Sequence, residues 1–174
     1  MRHALCLVAA MAVVIFGLAG GGTSQAAGVT VPLGFRMMCI KTPEECLGGG
    51  ASHVEASDDV MATLKRVNAH VNRAITPEAG GPVIWRVGVA AGDCDEYAAT
   101  KRNLLIRAGI PASAIRFAYV KVRGEGHAIV VVRTSRGDYV LDNLHRSVRP
   151  LAQTGYRIIS MSGADPRAWS AYAG

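Results

Sequence analysis

The sequence predicts an α+β domain in which a helix bearing a candidate nucleophilic cysteine packs on an antiparallel sheet. Three observations carry this expectation. Behind Cys94, the residues Tyr97, Ala98, Leu104, Leu105 and Ala108 recur at helical spacing, as a helix with one buried stripe requires. A second helical period runs through Val60, Leu64, Val67, Val71 and Ala74. From Ile115 onward the period becomes that of strands, broken by turn-forming clusters at Arg123-Gly124-Glu125-Gly126 and Thr134-Ser135-Arg136-Gly137-Asp138.

The chain opens with Arg2 and His3, an apolar run from Ala4 to Ala19, and the small-residue site Ser24-Gln25-Ala26. This pattern predicts a secretory signal peptide over residues 1–26 and an exported domain over 27–174. A retained membrane anchor is the alternative, but the run is short for the ~20 residues a span needs. Cleavage after Ala26 leaves 148 of the 174 residues, and losing Arg2 takes the formal charge from +6 to +5. One domain of this length is expected, periplasmic or secreted, with no stable membrane insertion after cleavage. Lys and Arg are spread from Arg36 to Arg167 without a block and without interleaved aromatics, which argues against a nucleic-acid partner.

Cleavage removes Cys6 and leaves Cys39, Cys46 and Cys94 in an oxidising compartment. The seven-residue spacing of Cys39 and Cys46 around Pro43 can close a small loop, which would leave Cys94 as the free thiol. Two buried, reduced cysteines are the other reading.

Residues 27–56, rich in Gly, Pro and small residues, read as an extended lead-in, with Gly48-Gly49-Gly50 as a flexible join. The helix that follows is capped by Ser57 or Asp58 and stopped by Pro77. His70 on it has no assigned role. Residues 76–91 form a connection in which Trp85 either walls a cleft or belongs to the core. The cysteine helix ends at Gly109 and Pro111, a left-handed cap followed by a residue that cannot continue the ladder. Strands are then expected at Ile115–Val122, from His127 through Val132, at Tyr139–Asp142 and at Tyr156–Ser160, before a tail with Trp169.

Cys94 falls at about the first helical position in Gly92-Asp93-Cys94-Asp95-Glu96-Tyr97-Ala98. Free backbone N–H groups and the helix dipole there favour a thiolate, and the Cys94 N–H is a candidate oxyanion donor. A thiol nucleophile needs a base, and the base works better when a third group fixes its tautomer. His127 and Asp142 are the candidates; His145 competes as base but follows its strand rather than facing a neighbour. With a tight turn at Arg136-Gly137, Asp142 shares a sheet face with His127 but lies about 13 Å away at ~3.3 Å per residue. Moving the turn back to Ser135-Arg136 brings Asp142 to the diagonal of His127, with Cα atoms about 7–8 Å apart. The second register is the one that permits contact.

Several separated motifs occur together: Gly92–Ala98, Lys101-Arg102, Leu104-Leu105, Gly109-Ile110-Pro111, Gly124-Glu125-Gly126-His127-Ala128 and Leu141-Asp142-Asn143. In this order they resemble the bacterial transglutaminase-like cysteine proteinases, over most of residues 35–170 and including the Cys39 and Cys46 pair. The resemblance implies a papain-like fold, hydrolysis of a protein substrate, and Cys94, His127 and Asp142 as nucleophile, base and orienting acid. The family includes periplasmic proteases that cut large surface adhesins. An amide acyl transferase that resolves the thioester with an amine, and a binding module that keeps the residues without turnover, are the rival readings.

Asp93, Asp95 and Glu96 place up to three negative charges beside a thiol that must itself become negative. Asp93 and Glu96 can act as a capping box. The resemblance also implies a bound calcium ion, with Asp93 and Asp95 as favoured ligands and Glu96 behind them, since the family reads Glu then Asp where this chain has Asp95 then Glu96.

Overall fold

Two helices and then two short strands precede Cys94, and an antiparallel sheet follows the helix it starts. In the computed structural model, which describes residues 29–81 and 83–172, three helices and eight strands are present among the described residues. The leader assigned to residues 1–26 lies outside them. In chain order these are α1 (Leu33–Lys41), α2 (Asp58–Ala74), β1 (Thr76–Pro77), β2 (Ala91–Gly92), α3 (Cys94–Arg107), β3 (Ile115–Val122), β4 (Glu125–Thr134), β5 (Gly137–Leu141), β6 (Arg149–Pro150), β7 (Arg157–Ser162) and β8 (Trp169–Ala171).

Helix α1 corrects the expected extended lead-in. Only Gly34, Phe35 and Met38 of its nine residues are buried, a stripe too narrow to register as a helical period. Pro32 precedes it, and Thr42, held from the helical region by Pro43, ends it. A 3-10 turn, Pro43–Cys46, folds back so that Cys46 bonds to Cys39 in a disulfide with Cα atoms 5.4 Å apart. The glycine run is also pinned rather than loose: Gly49 N–H donates to the Ser113 hydroxyl at 2.8 Å and its carbonyl accepts from Ser113 N–H at 3.0 Å.

Helix α2 starts where expected, with the Ser57 hydroxyl accepting from Val60 N–H. Its buried stripe is Leu64, Val67, Asn68 and Val71, and the stripe passes to Ile75 because Ala74 is exposed. Thr76-Pro77 then pairs in parallel with Ala91-Gly92, closing the connection that was read as irregular. Trp85 in that connection belongs to the core: Phe35, Trp85 and Phe117 meet edge-on, and Trp169 joins through Phe35, with centroids 5.2–5.5 Å apart.

The remaining strands form one antiparallel sheet in the order β6-β5-β4-β3-β7-β8. Alternation divides its faces. Ile115, Phe117, Ala128, Val130 and Val132 pack with the helices, while Ala118, Val120, Ile129, Val131 and Val140 form a second layer under Leu151 and Tyr156. Helix α3 ends with Gly109 at φ 87°, as its sequence required, and packs against both α2 and β4.

Phe35 links the unexpected helix to three other aromatic rings, so Phe35→Ala leaves a cavity at their junction. The expected cost is about 3–5 kcal/mol of stability, measured by urea denaturation. A loss below about 1 kcal/mol would mean that α1 is only loosely attached.

Candidate active site

The start of α3 is held by its own acids. Asp93 is the N-cap, its carboxylate accepting from Asp95 N–H at 3.0 Å, and Glu96 Oε2 accepts from Asp93 N–H at 3.1 Å, giving the capping box. Glu96 Oε1 is bound by Arg86 Nε at 3.2 Å. Both Glu96 oxygens thus have partners, one in the cap and one in the Arg86 pair. Asp93 and Asp95 remain: with Cys94 they form a group whose potential ligand atoms all lie within 4.8 Å of one another. Two hard carboxylates crowded in this way, one of them pushed up by burial and then by the charge of the other, are donors that suit calcium. The intervening sulfur is too soft for that role.

Cys94 is the first residue of α3 and the free cysteine among the described residues. The first intrahelical bond runs from Tyr97 N–H to the Asp93 carbonyl, which leaves the Cys94 N–H outside the ladder. The helix start by itself does not make this thiol easy to ionise. Burial, then the charge of Asp95, pushes the Cys94 thiol up to about 12, and the backbone N–H of Ala128 opposes them. Asp95 itself is pushed up to about 7, first by burial and then by the charges of Asp93 and Glu96.

Ala128 follows His127 at the start of β4, so the thiol lies one residue from the candidate base. Val130 pairs with Leu141 and Thr134 with Gly137, which places the turn at Ser135-Arg136 and puts Asp142 diagonal to His127. His127 Nε2 and Asp142 Oδ1 are 2.8 Å apart, with both side chains buried. No hydrogen bond joins Cys94 to His127. Catalytic contacts of this kind commonly close only when a substrate is bound.

Asp142 sits in a cage that the sequence reading missed. The Tyr156 hydroxyl donates to Oδ2 at 2.5 Å and Leu144 N–H donates to Oδ1 at 2.9 Å. Buried Asn68 accepts the Asp142 N–H at 3.1 Å, and Asn72 donates to the Asp142 carbonyl at 2.9 Å. Burial alone would push the Asp142 carboxyl up, but the bonds from His127, Tyr156 and Leu144 hold it down at about 2. Asn68 had one signal in the sequence, as a polar residue inside the buried stripe of α2. Tyr156 had none, because its partner is reached only through the sheet.

Lys101 and Arg102 are almost fully buried on α3. Arg102 donates to the carbonyls of Glu45 and Leu47 at 2.6 and 2.7 Å, tying the disulfide turn to α3. The Lys101 ammonium has no hydrogen-bond partner and lies 5.7 Å from the centre of the Tyr97 ring. Burial pulls it down to about 7 against the charge of Asp142.

An α+β chain with a cysteine at a helix start, a histidine on one strand and an aspartate just after the neighbouring strand has the architecture of the papain-like and transglutaminase-like enzymes. The model of the bacterial transglutaminase-like cysteine proteinases matches residues 25–174, and the chain belongs to that family. It is a transglutaminase-like cysteine protease that acts on proteins. Among solved structures it is similar to Legionella pneumophila LapG, at 19% identity and a TM-score of 0.57, over 69% of this chain and 72% of that one. The calcium-bound form of the same protein aligns at 18% identity and a TM-score of 0.55, over 63% of this chain and 68% of that one. Its EGTA-treated form aligns at 19% and 0.54, over 63% and 66%. No curated protein matches the chain.

Tyr156→Phe removes one of the bonds that keep Asp142 ionised. The expected loss is about 1–2 kcal/mol of stability at neutral pH, discounted because Tyr156 is partly exposed. Asp142 lies below its usual 3.8, at about 2, so its contribution is present above about pH 4 and is lost as pH falls through about 2. The difference between the two proteins in urea denaturation should shrink over the same window; a difference independent of pH would point to lost packing instead.

Proposed function

We propose that this protein is an exported cysteine peptidase in which Cys94 attacks a peptide carbonyl, His127 moves the proton and Asp142 orients the imidazole. The observation that carries this reading is the buried bond of 2.8 Å between His127 Nε2 and Asp142, beside a thiol at a helix start. An ionised carboxylate can only accept a hydrogen bond, so Nε2 carries the hydrogen and Nδ1 is left with its lone pair for the thiol. Cys94 Sγ gives its proton to Nδ1 and forms the C–S bond. The carbonyl oxygen gains charge near the Cys94 N–H, which is free to donate to it. His127 then protonates the departing amine nitrogen as the C–N bond breaks, and water hydrolyses the thioester by the reverse use of the same imidazole. The leader pattern at residues 1–26 and the paired Cys39 and Cys46 support export. Surface or periplasmic proteins are the substrates such a location provides. Among the described residues no helix is long and apolar enough to cross a membrane.

Asp93 and Asp95 are the residues that would hold calcium. The ion supplies positive charge where two carboxylates and a thiolate would otherwise repel one another. The calcium-bound and EGTA-treated forms of the LapG structures support this assignment.

Comparing secreted and cell-surface proteins with and without Cys94→Ala tests the reading, and at least one protein should lose a cleavage product in the variant. Purified His127→Ala should lose about 10²–10⁴-fold in turnover, and Asp142→Asn should keep more activity than His127→Ala. A folded His127→Ala protein at the wild-type rate would sink the assignment.

Calcium should accelerate alkylation of Cys94 by iodoacetamide at neutral pH, and EGTA should reverse the effect, because the thiol at about 12 is almost wholly protonated without the ion. Asp95 is raised to about 7, so protons compete with calcium below that pH. Calorimetry should show calcium affinity rising from about pH 5.5 to about pH 7 and levelling above it. No calcium binding at any pH would leave capping as the sufficient role of these acids.

A further inference from the structure

A cleft of about 490 Å³ opens beside His127 and does not include Cys94 among its lining residues. Val122, Gly126 and His127 come from the ends of β3 and β4, and Leu144 and His145 from the segment after Asp142. Its walls are fixed by the same contacts that fix Asp142. Leu144 N–H is held by the Asp142 carboxylate at 2.9 Å, and the His145 carbonyl accepts from Asn68 and Asn72, each at 3.1 Å. At Gly126 an added Cβ would overlap the Tyr119 hydroxyl, so a side chain there would collide with Tyr119. Within this fixed frame the Leu144 side chain is 54% exposed, a large apolar group left open to solvent at the site itself. Arg123 and Glu125 at the rim carry opposite charges and give no net preference for either sign.

The reaction decides which half of a substrate passes here. The acyl half stays bonded to Cys94 Sγ. The other half leaves as an amine whose nitrogen takes its proton from His127, so the chain beyond that nitrogen must run past the imidazole. A cleft that touches His127 and not Cys94 is placed for this leaving half.

We propose that the cleft receives the segment that follows the scissile bond and seats an apolar side chain from its first or second residue against Leu144 and Val122. The inference rests on the peptidase reading above and adds the selectivity of its leaving-group side. The polar rim leaves the apolar pair as the discriminating surface, and a pocket of this kind separates side chains by about 10–200-fold.

The test uses the mature, calcium-loaded chain on a peptide library made by digesting a bacterial proteome, with the new termini read by mass spectrometry. The unmodified protein should favour apolar residues at the first or second position after the cut. Leu144→Glu should lower that preference about tenfold in favour of basic residues, Leu144→Ala should weaken it, and both should leave the preference before the cut in place. Unchanged selection after the cut in both variants overturns the proposal, as does a shift confined to residues before the cut. If the unmodified protein cuts peptides without any preference after the scissile bond, the cleft assignment alone falls. If it cuts none, the peptidase reading falls and the cleft with it.

Discussion

The buried bond between His127 and Asp142 is the constraint on which the rest of the site depends. A carboxylate taken out of water is costly unless every lone pair it exposes to the interior finds a donor. The chain meets that demand from three directions, the imidazole on β4, the Tyr156 hydroxyl ahead of β7 and the Leu144 N–H, while α2 holds the Asp142 backbone through Asn68 and Asn72. Each bond fixes one more element relative to the next. The Asn side chains couple the second helix to the segment after β5, and Tyr156 couples the far side of the sheet to the same carboxylate. The framework that makes Asp142 affordable to bury is thus the framework that aims His127.

The start of α3 meets the opposite electrostatic problem. Its acids stabilise the helix end, where free N–H groups attract negative charge, yet they oppose ionisation of the thiol between them. Glu96 escapes this conflict through Arg86 and the Asp93 N–H, while Asp93 and Asp95 do not. A divalent cation at these two carboxylates would turn the same cluster from an obstacle into a support. Further along the helix, Arg102 holds the disulfide turn by its carbonyls, so the covalent clip and the helix bearing Cys94 form one body.

Much of this was legible in the sequence because strong local signals agreed with the fold. The capping residues Asp93 and Glu96, the terminating Gly109 and the strand alternation after Ile115 each specify their own geometry. The hairpin register was also accessible, since a turn at Ser135-Arg136 or a bulge lets Asp142 approach His127, and the chain uses the turn. Helix α1 was not, because its buried face is three residues wide and its neighbours are Pro and Gly. The Asp142 cage was hidden for another reason: Tyr156 and Asn72 are ordinary residues until the sheet and α2 bring one to the Asp142 carboxylate and the other to its backbone carbonyl. The easily ionised thiol was misread because helix position was weighed without burial, which is the larger effect here.

The most direct measurement of the central claim is the tautomer of His127, read from two-bond proton–nitrogen correlations of the imidazole ring by NMR. The account predicts a protonated Nε2, held by Asp142, and a bare Nδ1 in the neutral ring, with this preference weakened in Asp142→Ala. A wild-type ring protonated at Nδ1 would contradict it, because the nitrogen that must receive the thiol proton would already be occupied.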